Sequence, residues 1–170
     1  RYNVRRGLDV GFDMIKIRLV AVGKVKEEYY RNAIDEYAKR LGAFCKFEII
    51  ELKEENFKIA DAAATDKILS IEGGRIKEAL KGYSIAFAVE GKELSSEKFA
   101  EKIKTLTDSG VGEITLVIGG SYGIKQEVKS LCKEKISFSQ MTFPHTLTRV
   151  IACEQIYRAF TIISGKEYHK

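Results

Sequence analysis

Short apolar, β-branched runs recur five times along this chain, and most of the intervals between them carry helical spacing. Ile15–Val22 (IKIRLVAV), Lys46–Leu52 (KFEIIEL), Ser84–Val89 (SIAFAV), Ile114–Ile118 (ITLVI) and Lys135–Ser139 predict strands, with Gly23 and Gly91 ending the first and third. Glu27–Leu41 predicts a helix whose Tyr30, Ala33, Ile34, Tyr37 and Leu41 share one face, with Gly42 as its stop. A second helix falls within Ile59–Leu80, weakened by Gly73-Gly74. Ser95-Ser96-Glu97 supplies a hydroxyl cap and early negative charge for a third, through Leu106. Lys125–Cys132 is a short fourth, and Pro144 breaks the chain before a long last helix, Leu147–Ile163. Strands alternating with helices predict the α/β class, as one domain with a largely parallel sheet covered on both faces.

Composition narrows the class of partner more than the fold. Hydrophobic residues at 45% and charged residues at 31% fit a globular chain and exclude a disordered one. No apolar run approaches the roughly 18 residues of a membrane span. Arg1–Asp13 lacks the apolar stretch of a signal peptide and reads as a leader before a domain at 14–170. Cys45, Cys132 and Cys153 are odd in number and form no CxxC pair, which argues against a disulfide framework or a zinc site and fits a reducing cytoplasm. The net charge of +5 favours an anionic partner such as RNA without establishing one.

Two stretches carry candidate chemistry. In "TLVIGGSYGI" a β-branched run ends in Gly119-Gly120-Ser121-Tyr122-Gly123. Glycines there expose backbone N–H groups and let a ligand approach closely, or they merely turn a strand into a helix. The spacing matches neither the G-x-G-x-x-G dinucleotide fingerprint nor a Walker loop. The other stretch is the carboxy-terminal quarter, which holds both histidines, His145 and His169. Leu147, Val150, Ile151, Tyr157 and Thr161 fall on one face of the last helix, with Glu154 in its middle and Arg158 four residues later. A carboxylate in an apolar stripe needs a partner, so Glu154 and Arg158 read as a structural pair or a subunit contact. His145 beside Pro144 either caps the helix or lines a site. Tyr168, His169 and Lys170 either hang free or close over a ligand.

The stretches "KIRLVAVGKVKEEY", "EYAKRL", "VEGK", "LVIGGSYGI", "ISFSQMTFPH" and "RVIACEQIYRAFTIISGKEYHK" together resemble the RlmH family of the SPOUT superfamily, over Met14 to Lys170. The resemblance implies a homodimer with a C-terminal trefoil knot, a topology that general folding rules would not anticipate. It also implies transfer of a methyl group from S-adenosylmethionine to N3 of a pseudouridine in a 23S ribosomal RNA stem-loop, on assembled ribosomes. The cofactor would be held at Phe87, at Gly119 and Gly120, and at Phe138, Ser139, Gln140, Met141, Thr142 and Phe143. Family members often carry leucine where this chain has Phe87.

The chemistry asks for in-line positioning of a nitrogen that loses its proton around the time of attack. The candidates are His169, Tyr168, Arg149 and His145. His169 would assist proton removal or orient the base, and Arg149 or Arg158 would hold RNA phosphate or negative charge. Glu154, Arg158 and Lys170 would serve RNA or subunit contacts, and no metal is called for. Two rival readings stay open: an oxidoreductase using the glycine loop for NAD(P), and a non-catalytic RNA-binding factor.

Overall fold

Parallel pairing organises all five apolar runs. In the computed structural model, which describes residues 15–58 and 61–169, they form one sheet in the order β2-β1-β4-β3-β5. The strands are β1 (Lys16–Val22), β2 (Lys46–Leu52), β3 (Tyr83–Glu93), β4 (Glu113–Ile118) and β5 (Glu134–Ser137). The leader expected at 1–13, Met14 and Lys170 lie outside the described residues.

β1 pairs on both sides, from Lys16↔Lys46 to Val22↔Leu52 and from Lys16↔Glu113 to Ala21↔Ile118. A strand covered on both faces cannot alternate apolar with polar, which is why "LVAV" is continuous and fully buried. Ile17, Leu19, Ile85, Phe87, Ile114 and Leu116 belong to the larger core, beneath α1 (Glu28–Leu41), α3 (Ser96–Asp108) and α5 (His145–Ile163). Val22, Ala86 and Val117 face a smaller core beneath α2 (Ala62–Ala79) and α4 (Gln126–Leu131).

Helix boundaries follow local chemistry. The Ser95 hydroxyl accepts from the Lys98 N–H, the cap that the sequence implied, and Asp61 accepts from the Ala64 N–H at the start of α2. α2 runs unbroken through Gly73-Gly74, where Val128 of α4 packs close against Gly73.

Two expectations are corrected. Gly91 does not end β3, which continues to Glu93 through an irregularity between Phe87 and Lys92. A Cβ at Gly91 would lie 2.6 Å from the Ile136 backbone, so this glycine permits β3 to cross close to β5. The expected apolar face of α5 is only the margin of its core face. Ala152, Cys153, Ile156, Ala159 and Phe160 are buried in the larger core and Thr161 is buried as expected, while Val150 and Tyr157 pack half-buried against that core and Leu147 and Ile151 are half-buried. The helix is apolar nearly all round, and periodicity alone could not say which stripe turns inward.

Candidate functional site

At the carboxyl ends of β3 and β4 the chain departs to opposite faces of the sheet, toward α3 and α4. Such divergence opens a crevice in parallel α/β folds. Here the crevice is a cleft of about 680 Å³, within the ~300–1,000 Å³ usual for cofactor sites. Three segments build it: Phe87–Glu90 in the irregular stretch of β3, Ile118–Ile124 at and after the end of β4, and the segment from Ser137 to Thr148 leading into α5. Phe87, Gly119, Gly120, Phe138, Ser139, Met141, Thr142 and Phe143 all line it, and Gln140 does not. His145 lines it too.

Phe87 and Phe138 stack with ring centres 4.3 Å apart, joining the buried Phe87 of β3 to the half-buried Phe138 of the third segment. Ser139 braces the third loop: its hydroxyl accepts from the Met141 N–H at 3.0 Å, and its carbonyl accepts from the Ser137 hydroxyl at 2.8 Å.

The glycine loop is shaped by its own packing. A Cβ on Gly119 would sit 2.4 Å from the carbonyl group of Gly123, and one on Gly120 would press on Val22 and Glu72. The Gly123 N–H closes the turn onto the Gly120 carbonyl at 3.0 Å, and Gly123 itself has φ +83°. The absent side chains therefore let the loop fold back, which leaves its backbone as the cleft wall. From below, the buried Glu72 accepts one backbone N–H, from Glu55, while its other carboxylate oxygen has no partner. Burial pushes the Glu72 carboxyl up from its ordinary range.

Arg149 is placed differently from the expectation that it holds RNA phosphate. It is 1% exposed, and its guanidinium donates to Glu51 at 2.7 Å and to the carbonyls of Val22 and Gly23 at 3.2 and 3.0 Å. Enclosed in this way it offers no exposed donor to a phosphate, and its Nε is sealed without a partner. The side chain instead ties the start of α5 to the ends of β1 and β2. Burial pulls its pKa down and Glu51 opposes that shift.

Residues 15–169 match a family profile described as "Predicted SPOUT methyltransferase". The chain is 47% identical over 159 residues to "Ribosomal RNA large subunit methyltransferase H" of Limosilactobacillus reuteri (strain DSM 20016), covering 92% of this chain and 100% of that protein. It is 45% identical over 160 residues to the protein of the same name from Oenococcus oeni, with the same coverage. This chain belongs to the ribosomal RNA large subunit methyltransferase H family, within the SPOUT methyltransferases. Solved structures support the fold alone. A "Probable Methyltransferase" from Bordetella pertussis Tohama I matches with TM-score 0.54 at 12% identity, over 88% of this chain and 96% of that one. A "probable methylase family protein" from Haemophilus influenzae Rd KW20 matches with TM-score 0.51 at 14% identity, over 94% and 71%.

The tail gathers the remaining candidates into a second cluster, apart from the cleft of its own chain. Arg158 donates to Glu154 from Nε at 2.9 Å and Nη2 at 2.5 Å, and the Tyr168 hydroxyl donates to the same oxygen at 3.2 Å. Arg158 also lies over the Tyr168 ring, 4.8 Å from its centre. Burial, first, and the neighbouring Tyr37 and Glu154 raise the Tyr168 pKa. His169 bridges Arg158 (Nδ1, 3.1 Å) and Glu97 of α3 (Nε2, 2.7 Å). A guanidinium only donates, so Nδ1 is the acceptor and Nε2–H points at Glu97. The Ser95 hydroxyl, the Glu97 backbone N–H and His169 together hold the Glu97 carboxyl down at about 2.

Thr148 is the last α5 residue to line the cleft. At helical rise, Glu154 lies about 9 Å and Arg158 about 15 Å further along. Within one chain, then, the structure brings His145 and eight of the nine expected cofactor residues together but keeps Tyr168 and His169 elsewhere. Sequence reasoning missed Glu90 and Lys129, which line the cleft and pair with each other across its rim. It also missed Glu51 and Glu72. Nothing in local spacing marks these four, because their partners are distant in the chain.

Proposed function

We propose that this protein methylates large-subunit ribosomal RNA with S-adenosylmethionine as methyl donor, and that the target is N3 of a pseudouridine reached on assembled ribosomes. The observation that carries the reading is the cleft itself, three backbone-rich loops at the carboxyl edge of a SPOUT-family sheet. Its walls suit this cofactor. They offer apolar and aromatic surface to a nucleoside, and backbone groups to its polar edges. Their formal charges, Glu90 and Lys129, are already paired. A dinucleotide pyrophosphate would call for free cations or an open glycine turn, and this loop is packed shut upon itself.

When bound, the cofactor supplies a methyl group activated by a positively charged sulfur. The chain's task is to orient and to exclude water. Phe87, Phe138 and Phe143 provide dry walls, and Ser139 holds the third loop in register. His145 is the imidazole of this chain that lines the cleft, and in this reading it accepts the proton of the imide nitrogen. Arg149 acts as a positioning residue that fixes the α5 entrance bearing His145.

Tyr168 and His169 serve the cleft of a second copy in this reading. Support comes from Leu147 and Ile151, half-buried apolar side chains of α5 that a homodimer would cover, on the helix whose Tyr157 packs against Tyr168 of the tail. The reading includes a trefoil knot. β5 sits beyond β3 at the sheet edge, and α5 then returns to seat Arg149 against the end of β1, a course that supports a chain crossing itself.

The test uses ribosomes from cells lacking this protein, labelled methyl donor and mass spectrometry of the RNA. One added methyl on a large-subunit pseudouridine is expected. No transfer, with RNA bound all the same, would favour the non-catalytic factor. Calorimetric binding of NAD(P) in place of S-adenosylmethionine would favour the oxidoreductase.

A further inference from the structure

We propose that the loop from β1 to α1, together with the residue that follows β2, forms a basic and aromatic lip that grips the RNA strand beside the cleft. Lys24, Lys26 and Lys53 hold backbone phosphates, and Tyr29 offers a face to an unstacked base. The inference rests on the ribosomal RNA reading above and adds to it the surface that docks the substrate.

Chain geometry fixes the lip at the mouth of the site. The Gly23 N–H donates to the Leu52 carbonyl at 2.8 Å, so Lys53 and Lys24 emerge side by side at the carboxyl edge of β1 and β2. Gly23 also adjoins the cleft, because a Cβ built there would lie 3.6 Å from Nε2 of His145. The loop is braced rather than free to wander. Arg31 donates to the carbonyls of Val25 at 3.3 Å and Lys26 at 2.7 Å, and Val25 is buried between the two lysines. That alternation turns Lys24 and Lys26 outward, and both are exposed.

Most acids of the same edge are engaged by other groups, while the lysines form no ion pair within 4 Å among the described residues. Glu51 pairs with Arg149, Glu55 pairs with Arg75, and Glu54 accepts from the Ser121 hydroxyl at 3.0 Å. Glu27 has one carboxylate oxygen sealed from solvent. Glu28, at the start of α1, and Glu54 are the exposed acids here without a cationic partner among the described residues. Lys24, Lys26 and Lys53 have no ion-pair partner among the described residues. With Glu51 and Glu55 tied to arginines, the three outward lysines give the edge a local run of cations even where the charge count is close to balanced.

Tyr29 supplies the second kind of contact. It is 67% exposed, its ring set edge-on to Tyr30 at 4.5 Å, so one face stays open to solvent. Ammonium groups along a backbone with an aromatic face for a base is the recurring arrangement for unpaired or looped RNA.

The experiment measures binding of the full chain to ribosomes that lack the methyl group, over a series of salt concentrations. Calorimetry with S-adenosylmethionine and sedimentation of the free protein run in parallel. The triple variant K24Q/K26Q/K53Q is expected to weaken ribosome binding and to lower the salt slope by roughly 2–3. Y29A is expected to weaken binding about tenfold, with Y29F close to the parent, because stacking needs the ring and not the hydroxyl. Cofactor affinity and oligomeric state should stay unchanged in all of them. Unaltered ribosome affinity in both the lysine and Y29A variants would overturn the lip, and so would a shift in oligomeric state on Y29A, which would make Tyr29 a subunit contact. If the parent protein methylates these ribosomes, those outcomes condemn the lip alone. If the parent neither binds nor methylates them, the ribosomal RNA reading fails and the lip with it.

Discussion

Replacing Arg149 with Met separates two roles that sequence alone could not distinguish, an RNA-phosphate contact and an internal brace. The side chain is fully enclosed and donates to one carboxylate and two backbone carbonyls. Hydrogen bonds from a charged donor each contribute about 1.5–3 kcal/mol, and a carbonyl left dry and unpaired costs a further amount of the same order. Two effects offset this loss. Glu51 is 39% exposed in its side chain and can return to water, and the variant avoids burying a guanidinium whose Nε has no partner.

The net expectation for Arg149→Met is a loss of roughly 2–4 kcal/mol. For a chain of this size that is a fall in Tm of roughly 5–15 °C. Urea unfolding followed by circular dichroism measures it. Arg149→Lys should recover part of the loss, since one ammonium cannot span three acceptors. In an Arg149→Met, Glu51→Gln double variant the second change should add little, because its partner has already gone. A loss below about 1 kcal/mol, accompanied by weakened RNA binding, would refute the brace and restore the phosphate role.

The other expectations concern the cleft loop, the carboxylate beneath it and the tail. Gly119→Ala should leave the fold intact but weaken S-adenosylmethionine binding by at least about tenfold in calorimetry, because its methyl would collide with the Gly123 backbone and hold the loop open. Burial raises the Glu72 carboxyl in the folded state, so the stability tied to its proton is complete below the unfolded value and declines as pH rises through the folded one. Glu72→Gln should flatten that decline, gaining roughly 1 kcal/mol near pH 8 and nothing below about pH 4; equal slopes in pH-dependent urea unfolding would contradict it. Glu97 runs the opposite way. Its contribution to tail docking persists above the ordinary carboxylate range and fades as pH falls through about 2, and His169→Ala should move its carboxyl resonance midpoint upward only in part, since Ser95 is its leading support. The same His169→Ala variant should lower methyl transfer with cofactor binding unchanged, and full methylation would remove His169 from the mechanism.

The parallel α/β layout was legible because its signals are local. "LVAV" is uninterrupted since both faces of β1 are covered, and Ser95 caps α3 through a neighbour three residues away. The family was equally legible, and so were segments that prove to line the cleft, since Gly119, Ser139 and Thr142 lie in short distinctive words. What the chain order could not yield depends on contacts across long separations. Which stripe of α5 faces the core, whether Arg149 looks toward RNA or toward Glu51 some hundred positions earlier, and how far the tail cluster lies from its own cleft are all decided by packing. Gly91 makes the same point in miniature. A glycine after an apolar run reads as a stop, yet here it exists because β5, far along the sequence, passes too near for a side chain. Local propensity and capping act within a turn or two and so are written in the sequence. Burial, ion pairing and the choice between two apolar helix faces are properties of the surroundings, and only the assembled tertiary structure supplies those.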